Sequence, residues 1–137
     1  MGTRRRAREL ALQLLYQHEL TREPVERIKD GFEDWQSAPE AAQRFAMQLA
    51  DGTLTHLEEI DDALRRQTAH WRLERLAAVD KNILRLAMYE LLYDRDTPPA
   101  VVLDEAIEIA KRYGAEDSAR FVNGVLDGFL KARASRP

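Results

Sequence analysis

Apolar residues recur along this chain at spacings of three and four, and nowhere do they alternate with polar ones over the length of a strand. The strongest run is Trp71 to Tyr93, WRLERLAAVDKNILRLAMYELLY. Stepping 100° per residue from Leu76 puts Leu76, Val79, Ile83, Leu84, Leu86, Ala87, Met88 and Leu91 on an arc of roughly 200°. Lys81, Asn82, Arg85 and Tyr89 take the opposite side. A surface helix carries a stripe of about 100°, so this one is expected at the centre, covered from more than one direction. Asp80 and Glu90 fall inside the apolar arc. Burying an unpaired charge is costly, so each calls for a fixed partner: a helix N-terminus, an arginine, a tyrosine hydroxyl, or a bound molecule.

The same periodicity organises the rest. Gly2-Thr3 offers a cap, and Ala7, Leu10, Ala11, Leu14 and Leu15 predict a first helix of about 18 residues ending near Leu20. After a break at Thr21–Pro24, Val25, Ile28, Phe32 and Trp35 predict a short second helix, weakened by Gly31. Ser37 or Ala38 caps a third, in which Ala42, Phe45, Ala46, Leu49, Leu57, Ile60 and Leu64 run on to about Gln67 with at most a kink at Gly52-Thr53. Trp71 is expected to anchor in the core, with a short turn over Arg72–Leu76. Pro98 and Pro99 stop the central helix. Thr97 caps the next, which carries Val101, Val102, Ala106, Ile109, Ala110 and Tyr113 and ends at Gly114. The last helix opens at Glu116-Asp117-Ser118 and runs to about Ala132. Gly124 and Gly128, four apart, predict a close helix backbone, and the tail Arg133–Pro137 is expected to fray. The fold class is therefore all-α, about seven helices in two small packed bundles. The chain reads as a single domain over residues 1–137, with subdomains 1–67 and 68–137 divided near residues 67–71.

Composition narrows the function. A chain of 137 residues, 45% apolar and 33% charged, fits one globular domain. It has no cysteine, which excludes disulfides and thiolate chemistry. Arg85 and Glu90 interrupt the longest apolar run, so no membrane span is expected, and no apolar stretch of a signal peptide follows the N-terminal arginines. The expected localisation is cytoplasmic. His18, His56 and His70 stand alone, and Glu58, Glu59, Asp61 and Asp62 read as a solvated face, so no metal site is expected. No phosphate-cradling glycine loop and no acid–base carboxylate pair can be assigned. A non-catalytic binding protein without a cofactor follows. The net charge of −3 argues against generic nucleic-acid binding, yet Arg4, Arg5, Arg6 and Arg8 crowd into the first eight residues without an acid. Arg5, Leu12 and Tyr16 share one side of the first helix within about 40°. Arginine forks beside an aromatic face suit RNA. The competing reading packs Leu12 and Tyr16 on another helix and leaves the arginines solvated.

Three stretches carry a family likeness: the opening TRRRARELALQLLY, the middle W-x-L-E-R-L-x-x-V-D-K-N-I-L-R-L-A-M-Y-E-L, and the ending DEAIEIAKRYGAEDSARFVNGVLD. Together they resemble the NusB family of bacterial transcription antitermination factors over nearly the whole chain, least between about residues 21 and 66. The resemblance implies a non-enzymatic protein of two helical subdomains that binds the boxA element of ribosomal RNA leader transcripts. It also implies a heterodimer with NusE, a small-subunit ribosomal protein, that reaches RNA polymerase with other Nus factors. Carried onto this sequence, it implies RNA contacts from Arg4, Arg5, Arg6, Arg8, Tyr16, Glu116, Asp117, Ser118, Phe121 and Asn123. It implies NusE contacts from Glu74, Arg75, Asp80, Ala100 and Val101. Pro98-Pro99-Ala100 departs there from the single proline and tyrosine common in the family. Competing expectations are an RNA-binding module of a ribosomal RNA methyltransferase, a protein scaffold without RNA, and a homodimer through Leu12 and Tyr16 that hides the arginines. The methyltransferase reading needs a catalytic domain beyond Pro137.

Overall fold

The computed structural model describes residues 2–68 and 71–135, so His70, Arg136 and Pro137 lie outside the described residues. Eight α-helices follow one another among them: α1 Thr3–Thr21, α2 Val25–Ile28, α3 Glu33–Gln36, α4 Glu40–Thr55, α5 Leu57–Gln67, α6 Ala78–Tyr93, α7 Pro99–Tyr113 and α8 Ser118–Ala134. Short 3-10 turns occupy Lys29–Gly31 and Leu73–Arg75. No described residue is in a strand.

Two apolar clusters hold these helices. The first joins α1 to α4 through small residues: Ala7 and Ala11 on one side, Ala42, Ala46 and Ala50 on the other, all with no exposed surface. Alanines four apart on both helices let the axes approach closely, and Leu10, Leu14, Leu49 and Trp35 fill the flanks. The second cluster gathers α5, α6, α7 and α8 around Leu64, Leu84, Met88, Val102, Val122 and Leu126. Each cluster borrows one residue from the other half. Leu12 of α1 packs in the second cluster, and Leu86 of α6 packs in the first.

α6 is central, touching α1, α4, α5, α7 and α8. Its burial exceeds the expected arc. Lys81 and Asn82, on the side opposite the apolar arc, are buried, because Glu19 of α1 receives Lys81 at 2.7 Å and Asn82 Nδ2 at 3.0 Å. Arg85 donates from Nε and Nη2 to Asp61, each at 2.9 Å. A buried polar side of a helix is tolerable only when charges are matched in this way. Glu90 is fully enclosed and finds an arginine, Arg8, as required. Asp80 is only half-buried.

Several expectations are corrected. The long third helix breaks at His56, whose φ of −106° and ψ of 21° interrupt α4 and let α5 turn its Ile60, Ala63 and Leu64 face into the second cluster. The change from the first apolar cluster to the second therefore falls at His56. The His56 ring stacks on Tyr93 with centroids 4.0 Å apart, a long-range contact that local pattern does not announce. The second helix splits at Phe32, which is extended. Pro39 and Pro98, rather than Ser37, Ala38 or Thr97, occupy the N-cap positions of α4 and α7, and Thr97 instead donates to Asp94. Trp71 lies 61% exposed, not in the core. Gly124 faces open space, and Gly128 meets only the Gln67 side chain. The glycine that a close approach does require is Gly52, where a Cβ would strike the ring of Tyr89. α8 stays helical to Ala134, and Arg133 donates to the Leu91 carbonyl at 2.8 Å.

Candidate nucleic-acid interface

The four N-terminal arginines occupy the first turns of α1, and helical geometry sends them in different directions. Arg8 points inward. Its Nε donates to both Glu90 oxygens, at 2.8 and 3.1 Å, and its side chain is 6% exposed. Arg8, expected among the phosphate contacts, here ties α1 to α6. Burial pushes the Glu90 carboxyl above its usual range, against the opposing pull of Arg8. Arg4 is exposed, with its guanidinium 4.4 Å from the Phe45 ring centroid.

Arg5 and Arg6 lie between these extremes. Arg5 donates from Nε and Nη2 to the two oxygens of Glu105 on α7, at 2.9 and 2.7 Å. Those bonds hold the Glu105 carboxyl below its usual range. Arg6 donates to the Asp34 carbonyl at 3.1 Å and lies 3.7 Å from Glu9. Glu9, itself nearly buried, accepts from Arg112 at 2.9 Å. Apart from Arg4, the arginines of the basic start lie against carboxylates, and a row of such pairs ties α1 to α6 and α7.

The last turn of α7 adds two residues absent from the expected set. Arg112 stands 5.3 Å from the ring centroid of Tyr113. Tyr113, Tyr16 and Val79 line one groove of about 530 Å³, with Phe32 and Gln13 on its far walls. Burial raises the Tyr113 hydroxyl above its usual range. The sequence signal was Lys111-Arg112-Tyr113, a basic–aromatic run immediately before the final loop. Leu12, by contrast, is 3% exposed and offers no apolar surface to a second copy.

That loop carries the second set of expected contacts. Glu116, Asp117 and Asn123 are exposed. Ser118 is buried, and its hydroxyl accepts from the Ala115 amide at 2.9 Å, so it shapes the loop from inside. Gly114 is not left-handed; its φ of −91° is ordinary, and a side chain there would meet Ser118 instead. Phe121 is half-buried against the second cluster and meets the exposed Trp71 edge to face, centroids 6.0 Å apart.

The residues expected to meet a protein partner do not form one patch. Glu74 is exposed and bound to Arg65 at 2.6 Å, and Arg75 is exposed beside it in the 3-10 turn. Asp80 belongs to the start of α6, where Val79 adjoins Tyr113 at the end of α7. Ala100 and Val101 sit at the opposite end of α7, a helix of fifteen residues and so roughly 22 Å long. There Val101 shares a cleft with Arg4, Arg5 and Glu105. The structure brings Val101 to the arginines, not to Asp80.

Among the described residues no cluster of metal-ligating side chains occurs, and no helix is long and apolar enough to cross a membrane. What this surface can do chemically is present arginine forks, tyrosine and tryptophan rings and loop amides to an anionic, base-bearing partner. These features define the class: an all-α protein of two apolar clusters stitched by ion pairs, with a surface of arginines and aromatic rings. The NusB family model matches residues 5–131, and the chain belongs to the NusB family. It is 50% identical over 133 residues to the transcription antitermination protein NusB of Desulfitobacterium hafniense, covering 95% of this chain and 89% of that protein. A crystal form of T. maritima NusB superposes with a TM-score of 0.84 at 45% identity, covering 93% and 90% of the two chains. A NusB chain from a crystal structure of antitermination factors NusB and NusE in complex with dsRNA superposes with a TM-score of 0.85 at 32% identity, covering 96% and 98%.

Proposed function

We propose that this chain is a non-catalytic antitermination factor that binds boxA-type RNA of ribosomal RNA leader transcripts together with NusE, acting beside RNA polymerase in the cytoplasm. The observation that carries this reading is the run of arginines and aromatic rings along one side of α1 and the end of α7: Arg5, Arg6 and Arg112 with Tyr16 and Tyr113. The solved NusB–NusE–dsRNA complex of a relative supports both partners. Rings with an accessible face favour unpaired bases over duplex, because an A-form helix keeps its bases stacked away from side chains. Loop residues Glu116 and Asp117 then approach base amino groups rather than phosphates, and Phe121 with Trp71 offers a further stacking corner.

Fluorescence anisotropy of a labelled single-stranded boxA-type RNA tests this, with a scrambled strand and a duplex beside it, at two salt concentrations, with and without NusE. Expected is salt-sensitive binding, selective for the boxA strand and tightened by NusE. Trp71 supplies an internal check. It is exposed while Trp35 is buried, so RNA stacked on the Trp71–Phe121 corner reduces tryptophan emission and its quenching by acrylamide. Equal affinity for the scrambled strand refutes the boxA reading. Absence of binding with NusE present turns the chain into a protein scaffold.

A further inference from the structure

A cleft of about 430 Å³ opens between the start of α1 and the connection from α6 to α7, lined by Arg4, Arg5, Thr97, Val101 and Glu105. A phosphate entering it meets Arg5, whose side chain is 36% exposed. But the Nε–Nη2 edge of Arg5, the edge that grips an oxyanion with two parallel hydrogen bonds, is already filled by both Glu105 oxygens. We propose that Glu105 is a built-in competitor for RNA phosphate: its carboxylate takes the Arg5 fork that a backbone phosphate would take, and so sets how tightly this face holds RNA. The inference rests on the RNA-binding reading above and goes beyond it by naming the residue that limits affinity.

Three features support it. Carboxylate and phosphate bind a guanidinium in the same planar, bidentate way, so only one occupies that edge at a time. The competitor is fixed, because Glu105 precedes the core residue Ala106 on α7 and Arg5 stands two residues before the fully buried Ala7 on α1. And Glu105 is ionised at neutral pH, since the Arg5 hydrogen bonds hold its carboxyl low. Arg8 reinforces the arrangement: its Nη1 lies 3.9 Å from Glu105, while its buried Nη2 has no hydrogen-bond partner. An entering phosphate that displaces Glu105 gains Arg5. One that does not displace it meets an arginine whose charge is largely cancelled and a carboxylate that repels it.

The test is a double-mutant cycle read by anisotropy on the same single-stranded RNA, using wild type, E105Q, R5A and the R5A/E105Q pair at several salt concentrations. Glutamine keeps the shape and one acceptor but gives up the charge. E105Q is expected to bind RNA about three- to tenfold more tightly than wild type, with a log–log salt slope steeper by about 0.7. In the R5A background the same change should bring a clearly smaller gain, because the freed fork is missing and only the repulsion between carboxylate and phosphate is relieved. A gain of equal size in both backgrounds makes Glu105 only a distant negative charge and overturns the inference. So does wild-type RNA binding that E105Q leaves unchanged or weakens, the latter meaning that Glu105 positions Arg5 for the phosphate. If neither wild type nor E105Q binds any RNA, the functional reading itself fails, and this inference with it.

Discussion

Arg8 and Arg5 stand three residues apart in one arginine run, yet their replacement should fail in opposite ways. Arg8→Ala removes the partner of Glu90, a carboxylate 1% exposed. Stripping one member from a buried ion pair costs about 3–5 kcal/mol, because the other charge stays enclosed. Arg8 falls at the lower end: Nη2 is unpaired and Nη1 stands 3.9 Å from Glu105, so its own desolvation is only partly recovered. About 3 kcal/mol corresponds to a fall of roughly 6–12 °C in Tm for a domain of this size. Urea unfolding followed by circular dichroism measures it. The penalty should shrink as pH falls. Burial already raises the Glu90 carboxyl, and without Arg8 it rises further, so acid neutralises the stranded charge. Arg8→Met with Glu90→Leu, which removes both charges, should regain most of the loss. Arg5→Ala, whose pair is part-exposed and screened by solvent, should leave stability nearly unchanged while weakening RNA binding. An Arg8→Ala loss under about 1 kcal/mol, or one that does not shrink with acid, would refute the claim that Arg8 is a core residue.

Three other outcomes follow from the packing and charges. Gly52→Ala drives a Cβ into the Tyr89 ring and should destabilise the fold by about 1–3 kcal/mol in urea, whereas Gly124→Ala, facing open space, should stabilise it by about 0.5–1 kcal/mol. Glu105 is held low by Arg5, so its contribution to stability is complete above the ordinary carboxylate range and is lost as pH falls through its lowered value; melting curves of E105Q should fall less steeply in acid. Arg112→Ala frees the nearly buried Glu9 and removes the cation beside Tyr113, so it should weaken RNA binding with a shallower salt slope by about 0.7.

How much of this was legible in the sequence can be read residue by residue. Periodicity determines the all-α class, the centrality of α6 and the need of Glu90 for a partner, because a helix face is set by spacing alone. Prolines and glycines mark most ends, since they act on the local backbone. The family likeness is legible too, since long ordered motifs such as RYGAEDSARFVNG are local strings. Only the tertiary structure decides which arginine faces in. The four lie within one stretch of five residues, and the choice of Arg8 for the core depends on Glu90, 82 residues away. At the break His56 stacks on Tyr93, and the need for Gly52 rests on Tyr89; no local propensity encodes either contact. Trp71 misleads in the opposite direction, because an apolar side chain carries no label saying whether its partner is the core or the surroundings. Local pattern fixes which elements form. Pairing across the chain fixes which of their charges are left to act.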